Sequence, residues 1–439
     1  MDSTCIDVVI NDLDNNPQCL HGPTLLFRRI KGKAKEYYAC AACRDHVKTQ
    51  KPFENYSNII KSLTFQSNSY SDKNKIDADE KDNIVSNSSY CYTCNCLFVN
   101  DNNHSECNVL PNLTLHQLTY PTEVIIPKVD SKMHAQYFFS KPTLDDLLSI
   151  ITRLKINRVL CIGTPRIHEF IVNKFKDQIT SILLDLDKNY FNFYNRNEFI
   201  WYNMFNNYIF DKEQKEILMN HLCCGRILIL LDPPFGGRVE PLANTLKLLS
   251  KSFLKVNNKL NGAMDFILET FWFFPYYMEQ HIIRNLPEFK MFDYKVNYEN
   301  HSSFTNTGNR KRKFGSPVRI FTNVSLSKLN LKRVTGYKYC KSCNYWVSNE
   351  NRHCNECKFC TSKDGRTWVH CFKCSKCVKP SYEHCDTCKR CCLNDHVCGK
   401  FQPYENCYHC HLPGHKKNEC PRLNENKFER KGKIKKRKL

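Results

Sequence analysis

His353-Cys354-x2-Cys357-x2-Cys360 recurs as His370-Cys371-x2-Cys374-x2-Cys377 and again as His384-Cys385-x2-Cys388-x2-Cys391. Cys340-x2-Cys343 precedes the three copies, and Cys392, His396 and Cys398 follow them. Each Cys-x2-Cys knuckle sets two thiolates on one turn, and zinc asks for four soft or borderline donors in a tetrahedron. A stretch spaced in this way, 338–400, closes around several ions and folds only with them. Zinc here is first of all structural. Which ligand serves which ion stays open, because adjacent knuckles often interleave.

The remaining cysteines, from a total of 27 in 439 residues, extend the pattern to both ends. Cys407-x2-Cys410-x4-His415-x4-Cys420, with Gly414 before the histidine, has the spacing of a zinc knuckle over 404–422. Such knuckles grip single-stranded RNA by stacking bases on exposed aromatics, and Tyr404 and Tyr408 are the candidates. Near the start, Cys19-x-His21 and Cys40-x2-Cys43 flank a Leu25-Leu26-Phe27 and Tyr37-Tyr38 stretch that reads as a small hairpin, giving a first module over 15–55. Cys91-x2-Cys94 with His104-x2-Cys107 makes a second finger over 90–120, with Cys96 as a spare thiol. The segment 56–89 between them is rich in Ser, Asn, Asp and Lys from Ser67 to Ser89 and reads as a disordered linker. The middle holds only Cys161, Cys223 and Cys224, which read as small buried apolar residues.

Two classes fall away. No apolar run approaches the ~18 residues of a membrane span; Phe266 to Met278 is short and contains Glu269. Met1-Asp2-Ser3-Thr4 shows neither a basic nor an apolar leader region, so no secretory signal is expected. Without a secretory route, thiols serve as metal ligands rather than disulfides. With 41% hydrophobic residues the chain can bury a real core.

That core lies over 130–328. Arg158 to Ile162, Ser181 to Asp185, Arg226 to Leu231 and Phe266 to Leu268 read as strands, with helical patterns at Leu144 to Leu154 and Leu242 to Leu254. The alternation predicts an α/β fold with a mostly parallel, doubly wound sheet, in which ligands bind at the carboxyl ends of the strands. The first strand ends at Gly163-Thr164-Pro165-Arg166, and the second at Asp185-Leu186-Asp187, where an acid can accept from ribose hydroxyls. The dinucleotide glycine fingerprint is absent. The next strand ends in Asp232-Pro233-Pro234-Phe235. Its prolines remove backbone donors, so the Asp232 carboxylate and the Pro233 carbonyl are left to accept from an exocyclic amine. Phe235 offers a face for a base, and Gly236-Gly237 allow close approach of the chain to a ligand.

The core thus resembles class I S-adenosylmethionine-dependent methyltransferases of the amino-methylating [DN]-P-P-[FYW] type, a Rossmann-like fold. With its zinc modules the chain resembles the CCHC zinc-finger rRNA N6-adenosine methyltransferase family from about Cys19 to Cys420. The blocks that carry this include residues 19–27, 135–139, 160–166, 202–206, 232–237, 316–323 and 360–366. The resemblance implies methylation of N6 of one adenosine in large-subunit rRNA. It further implies cofactor contacts from Gln136, Tyr137, Phe138, Phe139, Gly163, Arg166, Asp185, Asn203, Met204, Phe205 and Asp232, and a catalytic turn at Asp232, Pro233, Pro234 and Phe235. The first module resembles the GRF type, whose fourth ligand falls here on Thr49; Cys43 and His46 stand as alternatives.

Charge points the same way. The net charge is +21, from 65 Lys+Arg against 44 Asp+Glu. It concentrates in the 423–439 tail, which carries eight basic residues from Lys427 to Lys438, and in Arg310 to Lys313. Beside a zinc knuckle and a base-methylating turn, these read as RNA contacts, and the tail doubles as a nuclear or nucleolar signal. The target adenine must leave any stack to reach Phe235, so an unpaired site is expected. Two rivals remain. The Cys-rich repeat with Asp395-His396-Val397-Cys398 resembles DHHC palmitoyltransferases, but no membrane span accompanies it and Val397 replaces the second histidine. The other is a non-catalytic RNA-binding protein with a vestigial methyltransferase fold.

Overall fold

In a computed structural model, residues 6–10, 13–29, 36–40, 42, 88–99, 102–128, 135–223, 225–261, 267–301 and 315–398 are described. Cys43, Thr49, the Arg310 to Lys313 cluster, the 404–422 knuckle and the basic tail lie outside them. The chain divides into two units, Met1–Ser348 and Asn349–Leu439.

The first unit is organised by an eight-stranded sheet. Its strands, in chain order, are β1 (Arg158–Ile162), β2 (Thr180–Asp185), β3 (Phe199–Asn203), β4 (Tyr208–Ile209), β5 (Ile227–Leu231), β6 (Glu269–Pro275), β7 (Lys290–Phe292) and β8 (Val318–Thr322). Their order in space is β4-β3-β2-β1-β5-β6-β8-β7. β3, β2, β1, β5 and β6 run parallel, while β4, β8 and β7 add antiparallel edges. Helices α1 (Lys141–Arg153), α2 (Pro165–Lys174), α3 (Gln214–His221), α4 (Val239–Asn261) and α5 (Glu279–Asn285) connect or flank the strands.

Both faces of this sheet are dry, which is why its strands are apolar without alternation. Val159 and Cys161 of β1 pack into one core, and Leu160 and Ile162 into the other. β6 divides likewise, Phe271 and Phe273 to one side and Trp272 and Phe274 to the other, all fully buried. Burial of each such side chain contributes roughly 1.5–3 kcal/mol. The strand expected at Phe266 to Leu268 therefore lies a few residues later. Ile267 is 69% exposed, and the aromatic run that follows is what the two helical layers cover. No described helix is long and apolar enough to cross a membrane. Of the linker expected over 56–89, only Ser88 and Ser89 are described, and they depart from that expectation. Ser88 and Ser89 are buried in a strand, Ser88–Cys91, that pairs with Cys96–Val99 and Val109–Leu110 to form the second finger.

The first module is a three-stranded antiparallel sheet of Ile6–Val9, Leu25–Arg29 and Glu36–Ala39 around Val8, Leu25, Phe27 and Ala39. The segment after the second finger is fixed to α2 by a buried carboxyl. Glu169 accepts from the Thr122 amide and pairs with the Thr122 hydroxyl, each at 2.6 Å. Burial pushes the Glu169 carboxyl up to about 8, against the opposing pull of the Thr122 contacts. An acid whose pKa is raised on folding adds stability that is full below its unfolded pKa and is lost as pH rises through the folded value. Glu169→Gln is accordingly expected to remove part of the fall in stability between about pH 4.5 and 8, measured by urea denaturation of both proteins across that range.

In the second unit each copy of the repeat forms one hairpin, and His353, His370 and His384 lie directly across their strand pairs from Cys360, Cys377 and Cys391.

Candidate active site and metal centres

The register of the parallel strands decides what sits together. Ile162 of β1 lies opposite Leu184 of β2 on one side and Leu231 of β5 on the other. The next residues, Gly163, Asp185 and Asp232, therefore end three adjacent strands side by side. The Gly163 amide donates to Leu184 O at 3.0 Å, and the Asp232 amide to Ile162 O at 3.1 Å. Around them lies a cavity of ≈ 410 Å³, also lined by Gln136, Tyr137, Phe138, Asn203, Met204, Phe205 and Pro233 to Phe235.

Gly163 has φ +66°, and a Cβ there would stand 2.8 Å from Met204 Cε and 2.9 Å from Asp232 O. Only glycine lets β1 turn away while the loop after β5 passes this close. Gly163→Ala is expected to cost about 2 kcal/mol in urea denaturation from the left-handed backbone alone. Because the new carbon pushes on Asp232 O, it should also weaken binding of the S-adenosylmethionine expected from the resemblance at least tenfold by calorimetry. Gly237 serves a different end from the close ligand approach expected of it. A Cβ there would fall 2.8 Å from the Phe205 ring and 3.0 Å from Pro234 O, so its smallness closes the turn on itself.

Asp185 is buried and receives the Asp187 amide on Oδ1 at 2.9 Å. Burial pushes its carboxyl up to about 7, with the Asp187 amide pulling the other way. Asp187, read in the sequence only as part of the strand end, brings a second carboxylate into the cavity. Its Oδ2 lies 3.4 Å from Lys128 Nζ and 3.3 Å from Gln136 Nε2. Asn203, whose residue chemistry alone suggests a helix cap, instead ends β3. It accepts the Phe205 amide at 3.0 Å and donates to the His21 carbonyl at 2.7 Å. Leu20 and His21 of the first module and Asn95 of the second finger thereby reach the cavity wall.

Two expected cofactor contacts face elsewhere. Phe139 is buried between Phe273 and Tyr298, at ring distances of 4.9 and 5.1 Å. Arg166 points its guanidinium back to the Phe139 carbonyl and to Glu299, because both acceptors lie beside the start of α2. Phe138 and Pro165, their neighbours, line the cavity instead.

At the Asp232 to Phe235 turn, the Asp232 carboxyl is held well above the usual carboxylate range by burial, and the hydroxyl of Tyr298 opposes this. Tyr298 donates to Asp232 Oδ1 at 2.9 Å. The Phe235 ring stacks 5.7 Å from Tyr137, which in turn lies 4.2 Å from the His301 ring. Nothing local in the sequence marks Tyr298 or His301, since long-range pairing alone brings them here.

Comparison with known proteins gives one answer. A family described as "Probable N6-adenine methyltransferase" matches residues 130–325. The protein named rRNA N(6)-adenosine-methyltransferase ZCCHC4 from Homo sapiens is 38% identical over 433 residues, covering 93% of this chain and 83% of its own length. The protein of the same name from Xenopus laevis is 41% identical over 436 residues, covering 94% and 87%. The chain belongs to this rRNA N6-adenosine methyltransferase family. It is an S-adenosylmethionine-dependent methyltransferase.

The cavity of this methyltransferase fits that cofactor by its own chemistry. A glycine cradle that a Cβ would fill adjoins two carboxylates able to accept from a ribose, within an aromatic and apolar wall. The zinc clusters fit equally. Zn–S and Zn–N bonds of about 2.3 and 2.0 Å imply tetrahedral edges of roughly 3.5–3.8 Å. In the second unit, His370 Nδ1 lies 3.5, 3.3 and 3.8 Å from the sulfurs of Cys354, Cys357 and Cys377. His384 Nδ1 lies 3.6 and 3.2 Å from Cys371 and Cys374, with Cys391 3.7 Å from Cys374. His396 Nε2 lies 3.6 and 3.5 Å from Cys388 and Cys398, and Cys385 stands 3.5 Å from Cys398. In the first unit, Cys91, Cys94, His104 and Cys107 converge in the same way, with His104 Nδ1 buried and lacking a hydrogen-bond partner among the described residues.

The knuckles prepare their thiolates. The Cys357 amide draws the Cys354 thiol down to about 7, and the Cys388 amide draws Cys385 to about 6. The residue after each second cysteine, Asn95, Asn344, Lys358, Ser375 or Lys389, has positive φ, which turns the chain tightly enough to aim both sulfurs inward. Cys340 and Cys343 occupy such a turn between Tyr337–Cys340 and Tyr345–Ser348. Cys19, His21 and Cys40 gather in the first module, with Cys40 Sγ 3.5 Å from His21 Nδ1. Cys96 is buried 4.0 Å from His104 Nε2, a fifth donor beside the second finger's four.

Proposed function

We propose that this chain methylates N6 of an unpaired adenosine in large-subunit ribosomal RNA, with Asp232 to Phe235 as the catalytic turn. The observation that carries this reading is the alignment of Gly163, Asp185 and Asp232 at three adjoining strand ends, with Phe235 beside them. S-adenosylmethionine, when bound, supplies an electrophilic methyl group. Gly163, Asp185, Gln136, Phe138 and Phe205 would hold it, and Phe235 would stack the adenine that has left its helix. Asp232 and the Pro233 carbonyl each accept one N6 proton, which turns the nitrogen lone pair away from them. Asp232 is then placed to take a proton as the amine is alkylated. The relatives named for rRNA methylation support ribosomal RNA as the substrate. The zinc knuckle and basic tail in the sequence support RNA capture and a nuclear or nucleolar address.

Incubation of the full-length protein with labelled S-adenosylmethionine and total RNA, followed by hydrolysis to nucleosides, tests the reading. Label is expected in N6-methyladenosine from large-subunit RNA. Label confined to other nucleosides, or none at all, sinks it.

A further inference from the structure

Tyr298 is bound into its place more tightly than a core tyrosine needs to be. Residues 296–300 zip against residues 136–140. Ser140 donates to Asn297 O and Glu299 to Phe138 O, both at 2.9 Å. The Asn300 side chain closes the same pairing, accepting the Phe138 amide at 2.8 Å and donating to Gln136 O at 2.9 Å. Phe139 and Tyr298 form a β-bridge, and their rings stack at 5.1 Å. Phe235 meets the Tyr298 ring edge-on at 5.9 Å. Aromatic rings of Phe139, Phe235 and Tyr137 surround the Tyr298 ring, and its buried hydroxyl donates to Asp232 Oδ1.

We propose that Tyr298 is a positioning residue for methyl transfer, pinning one oxygen of Asp232 so that the carboxylate presents the other to the substrate amine. Oδ2 has no protein partner among the described residues, on a side chain that lines the cavity. A carboxylate held at one oxygen cannot rotate away when the adenine arrives. Its charged form is also favoured, since the hydroxyl donates to the anion and partly offsets the penalty of burial. The inference rests on the functional reading above and adds to it a residue that lies outside the Asp-Pro-Pro-Phe turn. Other titratable or charged groups at this cavity are His21, Lys128, Tyr137, Asp185, Asp187 and Lys188, with His301 against Tyr137, so the assignment of any pH effect needs a variant of Asp232 itself.

The experiment follows Tyr298→Phe, which removes one oxygen and keeps the ring, beside Asp232→Asn, which cannot titrate. In wild type the acid limb of kcat should reflect ionisation of Asp232. In Tyr298→Phe that limb should move to higher pH by about one unit, with kcat about tenfold lower on the acid side of the limb and regained on its alkaline plateau, as loss of one hydrogen bond to a charged group implies. KM for RNA and affinity for S-adenosylmethionine should stay within about twofold. Asp232→Asn should lack the limb, with or without Tyr298. A Tyr298→Phe profile that superimposes on wild type after scaling overturns the proposal, and so does an acid limb that persists in Asp232→Asn. Carboxyl carbon NMR of protein labelled at aspartate reads the pair without turnover. Asp232, assigned by its loss in Asp232→Asn, should titrate at higher pH in Tyr298→Phe. An unmoved titration refutes the pairing, whereas a moved titration without N6-methyladenosine product would place the failure in the functional reading.

Discussion

Asp232→Ala is expected to lower single-turnover methyl transfer by about 10²–10³-fold while the protein still folds. The size follows from what the side chain does in the bound state. In the proposed mechanism it accepts from the amine at a buried site, where interactions with fixed groups are far stronger than in water, and losing one preorganised polar partner of a reacting centre typically costs that much. The cost to folding is small because two terms oppose each other. Burial holds the Asp232 carboxyl well above its usual range, so removing it relieves a desolvation penalty. Against this, the Tyr298 hydroxyl loses its partner, a loss of about 1–3 kcal/mol. Asp232→Asn should retain more activity than the alanine variant, since a carboxamide oxygen still accepts. Rapid-quench assays with labelled cofactor, together with thermal denaturation, check both halves. An alanine variant that folds and transfers methyl groups within tenfold of wild type would remove Asp232 from the catalytic role.

The site was legible where one stretch of sequence both buries itself and stops. β1 and β5 are unbroken apolar runs because helices cover both faces, and each ends at residues that cannot continue a strand, Gly163 and Asp232-Pro233. β3 was missed. Its Phe199-Ile200-Trp201-Tyr202-Asn203 run sits among asparagines, and its strand character comes from pairing with β2 rather than from a local pattern. The strand expected at Phe266 to Leu268 runs instead over Glu269–Pro275, for Ile267 is apolar yet exposed and gives no sign of where pairing begins. Tyr298 lies 66 residues from the carboxylate it holds, and Lys128 comes to Asp187 across a similar gap, so neither has a local cue. Phe139 and Arg166 show the converse. They flank residues at the cavity, but alternation of side chains sends Phe139 inward, and Glu299 captures Arg166. Ligand pairing in the zinc repeat required three dimensions for the same reason. The Cys354–Cys357 knuckle takes His370 and Cys377 from the next copy, and Cys371–Cys374 takes His384 and Cys391 from the one after.

That interleaving carries the largest stability effect to be expected in this molecule. Among the described residues of 349–398, the buried apolar side chains are only Cys360, Cys377 and Cys392. Phe359, Val369 and Phe372 are more than half exposed, so this stretch owns no aliphatic or aromatic core. Apolar burial at ~25 cal/mol per Å² has nothing to act on here, whereas a structural zinc site contributes an apparent ~10–16 kcal/mol at pH 7. Because each ion ties a knuckle of one copy to the hairpin of the next, losing one ion frees both copies. Chelation should therefore melt 349–398 cooperatively and leave the sheet of the first unit folded, since among the described residues the only candidate metal ligands in its two cores are Cys40, buried in one of them, and Cys19, packed against it. Hydrogen exchange of the full-length protein with and without a strong chelator measures this directly. Amides of Tyr382–Cys385 and Arg390–Leu393 should lose protection together, while those of β1, β2 and β5 keep theirs. Acid should act in the same direction, because each thiolate must bind a proton as the ion leaves. Retained protection in 349–398 after complete zinc removal would show that some other interaction holds the repeat.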